Sequence, residues 1–439
     1  MGYYKVLSTM SLSTKPYKGT RDFYPEDMRI QNWMFAQLRQ TVQKYGFEEY
    51  NGPMLESFDL YAAKTGEEIV NTQLYHFEDR AKRKVAIRPE MTPTLARMVA
   101  GRLRELAKPV KWFSLPNLWR YENPQRGRLR EHWQLNVDLL GGDPILADFE
   151  ILSVARDLIG SFNGGDKIKI HINSRRLINH FFNDRLCISA EMALAASKAV
   201  DARAKIGQDA YNEWLEKIGL NKDQISLMEE FFQSDFRQIQ KNFDNPGVQE
   251  LADLFAMIDS SELSEVAIFD PFIMRGMDYY TGTVFEMYDI SPENNRAMFG
   301  GGRYDNLVGL FGNQQLSGVG FGMGDVTLRN FLETHNLLPQ LPGAVEVFMT
   351  LPKKSVYPTA HAIEKQLRDH GLRVFNPLSE GKFANQLKLA NKLNAKFAIL
   401  LGDEEINSGQ FAIKNLQSGE QKNFPLNDVK ACLNFLQMG

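Results

Sequence analysis

Strand-like and helical runs alternate irregularly along the first two thirds of the chain, and this pattern limits the fold more than any other feature. Helical stretches of unequal length separate the short β-favouring runs, unlike the regular strand–helix–strand units that build a parallel sheet. The β-favouring runs are 85–87, 110–114, 134–140, 167–172, 283–288 and 318–323. The pattern predicts an α+β domain in which helices flank an antiparallel sheet.

The start of this domain has a clear helix signal. Apolar residues recur at helical spacing over 26–45, behind Pro25, which suits a first helical turn. The extended piece that follows contains Pro53. Because proline has no N–H for a sheet ladder, this strand is expected at a sheet edge or at a dimer interface.

Two later changes of character divide the chain further. Helix formers with few glycines or prolines fill 175–263, which predicts a helical insertion. Prolines stiffen a linker at 338–343, and strand and helix then alternate to the C-terminus, which predicts a compact α/β domain over 344–439. The remaining parts are an N-terminal extension at 1–17 and a core formed by 18–174 and 264–337.

Composition excludes several classes of protein. The 439 residues suffice for two to four domains, and a net charge of −3 leaves room for only a local basic surface toward nucleic acid. The two cysteines, Cys187 and Cys432, are far apart, which argues against a disulfide framework and favours a reducing cytoplasm. No run of about 18 apolar residues is present, so no membrane span is expected.

Two segments carry the chemistry. Residues 275–286 place Arg275, carboxylates and the adjacent Tyr279 and Tyr280 between glycines, a mixture that suits a small polar ligand. Residues 118–134 contain four arginines, and arginine grips phosphate or carboxylate with a fork that keeps its charge. An anionic substrate is indicated by Arg120, Arg128, Arg130 and Arg275, although a solvated hairpin over 120–130, with cations two residues apart on one face, is the alternative.

Three smaller features have two interpretations each. Glu90 and Thr92 stand at a predicted strand-to-helix junction, where Thr92 either caps a helix or joins Glu90 in binding a ligand ammonium. Tyr279 and Tyr280 are either core aromatics at the start of a strand or ligand contacts, and because adjacent strand residues point to opposite faces, at most one should line a given pocket. Glycine at every second position of 318–324 leaves one face of a strand without side chains. That face either lies open to a flat ligand ring or is packed closely by a helix.

In this order the segments resemble the histidyl-tRNA synthetase family of class II aminoacyl-tRNA synthetases, from residue 18 to the C-terminus. Residues 18–56, 118–134 and 318–324 are similar to the three class II motifs, and 275–286 and 300–305 to the two segments peculiar to the histidine enzymes. The resemblance implies a cytoplasmic homodimer with a class II catalytic core and an anticodon-binding-like C-terminal domain. Such an enzyme uses ATP with Mg²⁺ to convert L-histidine to histidyl-adenylate, then charges tRNA(His).

The resemblance also implies roles for individual residues. Arg120 and Arg275 would be catalytic at the α-phosphate, and the other ATP-binding residues would be Glu122, Arg128 and Gly322. Histidine would be bound through its ammonium by Glu90, Thr92 and Gln134, and through its imidazole by Asp138 and Tyr280, with Tyr279 and Tyr304 nearby. The tRNA would meet Gln125, Arg130, Lys388 and Lys392, although a solvated helix face is an equal alternative for the two lysines. No metal site is expected from the protein alone, since no paired-histidine motif is present.

Two departures and one main alternative accompany the resemblance. Thr327 stands where many class II enzymes carry an arginine for the terminal phosphates, and Arg329 lies about 200° around a helix from it. Asp138 is one methylene shorter than the glutamate of some relatives. The alternative is the non-catalytic, synthetase-like regulatory subunit of ATP phosphoribosyltransferase, against which the intact 275–286 segment and the domain after 343 both argue. A histidine-binding module and a class II synthetase for another amino acid are further alternatives.

Overall fold

The computed structural model describes residues 12–62, 69–274, 279–294, 296–312 and 314–437. The chain divides into two compact units, Met1–Leu338 and Pro339–Gly439. Among the described residues, no helix combines the length and the apolar character needed to cross a bilayer.

The first unit contains twelve described strands and eleven described α-helices. Its strands are β1 (Glu48–Glu49), β2 (Leu55–Ser57), β3 (His76–Glu78), β4 (Lys84–Ile87), β5 (Val110–Ser114), β6 (Asn117–Trp119), β7 (Glu131–Leu140), β8 (Ile168–Ser174), β9 (Ala267–Phe269), β10 (Thr283–Asp289), β11 (Ala297–Tyr304) and β12 (Gly318–Gly324). Its helices are α1 (Pro25–Lys44), α2 (Phe58–Ala62), α3 (Thr92–Arg102), α4 (Pro144–Gly160), α5 (Arg175–His180), α6 (Ala190–Ile206), α7 (Gln208–Lys217), α8 (Lys222–Gln233), α9 (Phe236–Asn242), α10 (Pro246–Asp259) and α11 (Asp325–Thr334).

A mixed sheet with mostly antiparallel pairing organises the first unit. Its strand order is β1-β5-β7-β12-β11-β10-β8-β9, and β6 pairs additionally with β7. The six strands from β5 to β8 pair antiparallel, whereas the edge strands β1 and β9 pair parallel. The predicted fold class, an α+β domain on an antiparallel sheet flanked by helices, is confirmed, with the parallel edges as the difference.

Strand β11 was not among the predicted strands. It pairs with β10 and β12 through Gly300, Gly301 and Gly302, residues that usually weaken a strand. Tertiary packing overrides that propensity, because a side chain at Gly301 would place its Cβ 2.0 Å from the carbonyl oxygen of Gly320. Gly301 is therefore required by the close approach of β12, whereas a Cβ at Gly302 would meet Thr283 and Val284 of β10 and the ring of Tyr280.

Two helices show how the sequence supports the sheet. Helix α1, predicted over 26–45, buries Met34, Leu38 and Val42 at helical spacing. Helix α4 begins behind Asp143, whose side chain accepts hydrogen bonds from two backbone N–H groups of its first turn at 3.0 and 3.1 Å. Both helices contribute to the apolar cluster that also contains the inner face of the sheet.

A small second sheet, β2-β4-β3, lies beside this core. Strand β2 is at its edge, where the sequence around Pro53 predicted an edge strand. Helices α5–α10 occupy the stretch between β8 and β9. Phe181, in the π-helical turn Phe181–Arg185 after α5, stacks on Phe231 of α8 with 3.9 Å between ring centroids, and both belong to the same apolar cluster as the main sheet.

The second unit is a five-stranded α/β fold. Its strands are β13 (Val347–Met349), β14 (Val374–Phe375), β15 (Phe397–Leu400), β16 (Gln410–Asn415) and β17 (Gln421–Pro425), and its helices are α12 (Tyr357–Asp369), α13 (Phe383–Lys392), α14 (Asp403–Ser408) and α15 (Leu433–Gln437). The sheet order is β14-β13-β15-β16-β17, parallel at β14-β13-β15 and antiparallel beyond. Its core includes the buried Val347, Ile399 and Ile413.

Candidate active site

A cavity of about 450 Å³ lies against the antiparallel sheet of the first unit. Its walls come from β7, β11 and β12, from the junction between β4 and α3, and from the hairpin between β6 and β7. On β7 the lining residues Gln134, Asn136 and Asp138 are two apart, as side chains on one face of a strand must be. The cavity therefore has a polar floor built by a single strand.

Asp138 is the most unusual carboxylate of this floor. Its side chain is 3% exposed, and its Oδ1 accepts a 2.6 Å hydrogen bond from the Tyr304 hydroxyl. Its Oδ2 is buried and has no hydrogen-bond partner among the described residues. Burial, aided by the nearby Glu90 charge and opposed by the Tyr304 bond, raises the pKa of Asp138 to about 7. A ligand N–H aimed at Oδ2 would satisfy this oxygen and favour the charged carboxylate.

Three tyrosines enclose the space above Asp138. Tyr279, Tyr280 and Tyr304 all line the cavity and are buried, and the rings of Tyr279 and Tyr280 are 4.8 Å apart. The prediction that at most one of the adjacent tyrosines lines a given pocket is wrong. The two residues precede β10, which begins at Thr283, so strand alternation does not apply to them.

Glu90 joins these tyrosines at the junction between β4 and α3. It is 3% exposed, lines the cavity, and its Oε2 accepts a hydrogen bond from the Tyr279 hydroxyl at 3.4 Å. Thr92 also lines the cavity, as the first residue of α3. Met91 occupies the N-cap position without a side-chain cap bond, so the capping interpretation of Thr92 is wrong.

The alternating glycines of β12 make room for polar side chains of the protein itself. A Cβ at Gly318 would lie 2.5 Å from the ring of Tyr304, and a Cβ at Gly320 would lie 2.4 Å from Asp138 Oδ1. Gly322 lines the cavity beside Gln134. The bare face of this strand thus admits the side chains that build the polar floor.

The other end of the cavity is cationic. Arg120 follows β6, lines the cavity, and donates its Nε to the backbone oxygen of Pro89 at 2.9 Å. This bond fixes one side of the guanidinium and leaves the two terminal nitrogens for an anion. Glu122 and Arg128 also line this end, with 3.9 Å between the Glu122 carboxylate and the Arg128 guanidinium.

Arg130 lies outside the cavity and is 7% exposed. Its guanidinium stacks over the Tyr121 ring at 3.9 Å, and its nitrogens donate to the Glu122 backbone oxygen at 3.1 Å and to the Tyr17 hydroxyl at 2.8 Å. The alternative of a solvated hairpin over 120–130 agrees with the exposure of Arg126 and Arg128, but not with the burial of Arg130. The contacts of Arg130 hold the hairpin in place, and its burial disfavours direct contact with tRNA.

Four other residues were predicted to contact ATP or tRNA. Gln125 is exposed in the hairpin turn, where its backbone pairs with Arg128. Arg275 lies outside the described residues, so its relation to Arg120 stays a prediction. Lys388 and Lys392 are exposed, one turn apart on α13 of the second unit.

Thr327 lines the cavity at the position where the resemblance leads one to expect an arginine. Its hydroxyl donates to the backbone oxygens of Met298 and Gly324 at 2.8 and 3.0 Å. Arg329 is paired elsewhere, with Glu333 at 2.8 Å and Asp27 at 3.3 Å. Arg329 therefore does not substitute for the arginine expected at position 327. This agrees with the prediction from its position about 200° around the helix.

Two lining residues of β7, His132 and Asn136, were missed from the sequence. Their two-residue spacing from Gln134 was the available signal, because it places all of them on one strand face. Burial, with the charges of Arg120 and Arg21, lowers the pKa of His132 to about 3. The imidazole is therefore neutral at physiological pH and adds an uncharged ring beside the cationic end.

Comparison with known proteins agrees with this geometry. Residues 19–326 match the family model described as histidyl-tRNA synthetase, and residues 346–435 match the model described as anticodon binding domain. A histidine–tRNA ligase of Leptospira biflexa serovar Patoc is 45% identical over 430 residues, covering 96% of this chain and 98% of the relative. The chain belongs to the histidyl-tRNA synthetase family.

Solved structures place the fold in the same family. The crystal structure of histidyl-tRNA synthetase from Nostoc sp. PCC 7120 superposes with a TM-score of 0.79 at 25% identity, covering 96% of this chain and 100% of the other. A Bacillus halodurans protein described as an ATP phosphoribosyltransferase regulatory subunit/histidyl-tRNA synthetase has a TM-score of 0.71 at 21% identity, over 88% of this chain and 98% of its own. The second likeness shows a shared fold alone, whereas the first agrees with membership of the synthetase family.

Proposed function

We propose that the cavity is where this member of the histidyl-tRNA synthetase family joins histidine to ATP, with the imidazole at Asp138 and the α-phosphate at Arg120. The activity itself follows from the near full-length relationship: the chain is an ATP-dependent histidine–tRNA ligase. This activity is favoured over the regulatory-subunit alternative, because a curated ligase is 45% identical over 96% of the chain.

The observation that carries the proposal is the unpaired Oδ2 of Asp138 in a cavity lined by tyrosines. An imidazole offers one N–H donor and one ring nitrogen acceptor. Asp138 would accept the N–H, and the Tyr280 hydroxyl would donate to the second nitrogen. An amino acid without these nitrogens would leave the buried carboxylate unsatisfied, which is a strong basis for discrimination.

The ammonium of histidine would be received by Glu90, Thr92 and Gln134, which line the same cavity. Glu90 is the charged member of this set and is 3% exposed, so its attraction for an ammonium is weakly screened. This placement orients the carboxylate of histidine toward the cationic end of the cavity.

Adenylation would then take place between the two ends. A carboxylate oxygen of histidine attacks the α-phosphorus of ATP, the bond to the β-phosphate oxygen breaks, and pyrophosphate leaves with that electron pair. Arg120, held by Pro89, stabilises the charge on the α-phosphate oxygens. Arg275 is proposed as the second cation from the resemblance, and Glu122, Arg128 and Gly322 would border the nucleotide. No covalent step on a protein side chain is required.

Mg²⁺ is the ion that the resemblance implies for ATP. Within the described ranges, no group of three or more His, Cys, Asp or Glu side chains is arranged to hold a metal ion. Glu122 lines the nucleotide end, and this single carboxylate fits the usual binding of Mg²⁺ by one or two protein oxygens plus phosphates. Mg²⁺ would supply charge neutralisation on the phosphates.

The family binds tRNA, histidine and ATP, and the finer assignments here are proposals. The second unit, matched by the anticodon binding domain model, would bind tRNA(His) partly through Lys388 and Lys392. Gln125, in the exposed hairpin turn, would meet the acceptor end. A homodimer and a cytoplasmic location are proposed from the resemblance, and a helical insertion at 175–263 is proposed from its run of helix formers.

Pyrophosphate exchange tests the proposed chemistry. Purified protein should incorporate labelled pyrophosphate into ATP when L-histidine is added, because adenylation is reversible, and should do so without tRNA. Histidine-independent exchange, or none under conditions in which the fold is intact by circular dichroism, would refute the assignment of the cavity.

A further inference from the structure

A buried ion pair lies behind the tyrosines, outside the cavity. The Arg303 guanidinium on β11 is paired with the Asp148 carboxylate on α4 at 2.6 Å, and their side chains are 4% and 2% exposed. The same guanidinium donates to the backbone oxygen of Pro144 at 2.5 Å. The pair therefore fixes the end of β11 against the first turns of α4.

The third contact of Arg303 continues toward the tyrosines. Its guanidinium donates to the Ser317 hydroxyl at 2.5 Å, and that hydroxyl donates to Asp305 Oδ1 at 2.6 Å. Asp305 Oδ2 accepts from the Thr281 hydroxyl at 2.7 Å and lies 3.4 Å from the Arg176 guanidinium. We call the four side chains Arg303, Ser317, Asp305 and Thr281 the polar relay.

The relay connects the chain neighbours of two cavity residues. Thr281 directly follows Tyr280, and Asp305 directly follows Tyr304. A backbone hydrogen bond of 2.8 Å from the Thr281 N–H to the Arg303 oxygen runs parallel to the side-chain contacts. The described stretch 279–282, which carries Tyr280 and precedes β10, is thus tied to the strand end that carries Tyr304.

The charge state of Asp305 strengthens the hydrogen bonds of the polar relay. Burial alone would raise its pKa, but the hydroxyls of Ser317 and Thr281, with the charges of Arg303 and Arg176, lower it overall. The carboxylate is therefore charged at physiological pH, and its hydrogen bonds are of the stronger, charge-assisted kind.

We propose that Asp305 and Thr281 are positioning residues that set the distance between Tyr280 and Tyr304, and thereby the fit of the histidine ring. The inference rests on the proposed function, since the ligand of this end of the cavity is taken to be histidine. Neither residue lines the cavity, so both act through the tyrosines beside them.

The test compares Thr281→Val, which keeps the shape of the side chain but removes the hydroxyl, with Thr281→Ser, which keeps the hydroxyl. We expect Thr281→Val to raise the KM for histidine in pyrophosphate exchange about tenfold, because it removes the hydroxyl that donates to the partly buried Asp305 carboxylate and ties the segment of Tyr280 to it. The KM for ATP should stay within about twofold, and Thr281→Ser should behave as wild type.

Thr350→Val in the second unit is the matched control. Thr350 is fully buried and its hydroxyl accepts a hydrogen bond from the Leu401 N–H at 3.2 Å, so the same substitution removes a buried hydroxyl far from the relay in sequence. Thr350→Val should lower the thermal stability and leave the KM for histidine unchanged. If Thr281→Val fails to fold, Ser317→Ala interrupts the same relay.

Crystal structures of Thr281→Val and Thr281→Ser separate the two proposals. A Tyr280 ring displaced in Thr281→Val but not in Thr281→Ser would support the positioning role. Absence of histidine-dependent exchange in wild type would refute the proposed function and leave this structural comparison unaffected. An unmoved ring, or an equal KM for histidine in the two variants, would overturn the positioning role.

Discussion

The Tyr304 hydroxyl donates a 2.6 Å hydrogen bond to Asp138 Oδ1, while Oδ2 of the same carboxylate is buried without a partner among the described residues. One half of the carboxylate is therefore satisfied by the protein, and the other half is available to a ligand. This asymmetry orients Asp138 before any substrate arrives, which is the condition for a selective polar site.

Replacing Asp138 by Asn should change the pH dependence of stability. The pKa of Asp138 is raised from 3.8 to about 7, so between these values the folded protein holds a proton that the unfolded chain releases. Wild-type stability therefore falls as the pH rises through this window, whereas the amide does not titrate. The melting temperature of Asp138→Asn minus that of wild type should increase from about pH 5 to about pH 8. A constant difference would contradict the assigned pKa.

The same substitution should weaken histidine activation. An amide that turns its N–H₂ toward the ligand faces the imidazole N–H with a donor, so the KM for histidine should rise on the order of a hundredfold. Pyrophosphate exchange at varied histidine measures the effect. An unchanged KM would place the imidazole elsewhere.

Replacing Arg120 by Lys keeps the charge but loses the fork that Pro89 orients. We expect kcat for exchange to fall on the order of a hundredfold with little change in the KM for histidine, because the interaction strengthens in the transition state. Arg126→Lys is the control, since Arg126 is exposed on the same hairpin and does not line the cavity. Equal losses in both variants would argue against a specific role for Arg120.

Gly320 tests the close approach of β12 to the floor of the cavity. A methyl group there would lie 2.4 Å from Asp138 Oδ1 and 2.5 Å from the Val137 backbone oxygen, so Gly320→Ala should lower thermal stability and raise the KM for histidine. Gly101→Ala serves as the control, because no neighbouring atom lies within 4 Å of a Cβ at that position in α3. It should be neutral or slightly stabilising, and similar effects of the two substitutions would contradict the account.

Lys388 and Lys392 provide a test of the tRNA proposal that leaves the cavity intact. Replacing both by Ala should weaken tRNA binding and lower the slope of log affinity against log salt by about 1 per lysine, while pyrophosphate exchange is unchanged. Lys365 and Lys430, exposed elsewhere in the second unit, form the control pair. An unaltered salt slope would support the alternative of a solvated helix face.

The sequence predicted most strands of the main sheet because their apolar and β-branched residues dominate locally. Strand β5 was predicted with its observed bounds, and β7 with three residues missing at its start. Strand β11 could not be found in this way, because Gly301 and Gly302 are explained only by the close approach of β12 and β10.

The candidate site shows the same division between local and tertiary information. Period two on β7 places Gln134 and Asp138 on one face, and the same rule would have found His132 and Asn136. The burial of Arg130 has no local signal, since it depends on Tyr17 and Tyr121 enclosing the guanidinium. Tyr279 and Tyr280 both line the cavity because they lie before β10 and not within a strand. The spacing of residues in the sequence does not show where the strand begins.

A crystal structure of the enzyme with a non-hydrolysable histidyl-adenylate analogue would show where each half of the reaction is held. We expect the imidazole N–H on Asp138 Oδ2, the second ring nitrogen at the Tyr280 hydroxyl, and the α-phosphate on the guanidinium groups of Arg120 and Arg275. An analogue bound with its imidazole away from Asp138, or a structure with Arg120 and Arg275 in separate cavities, would contradict the proposed site.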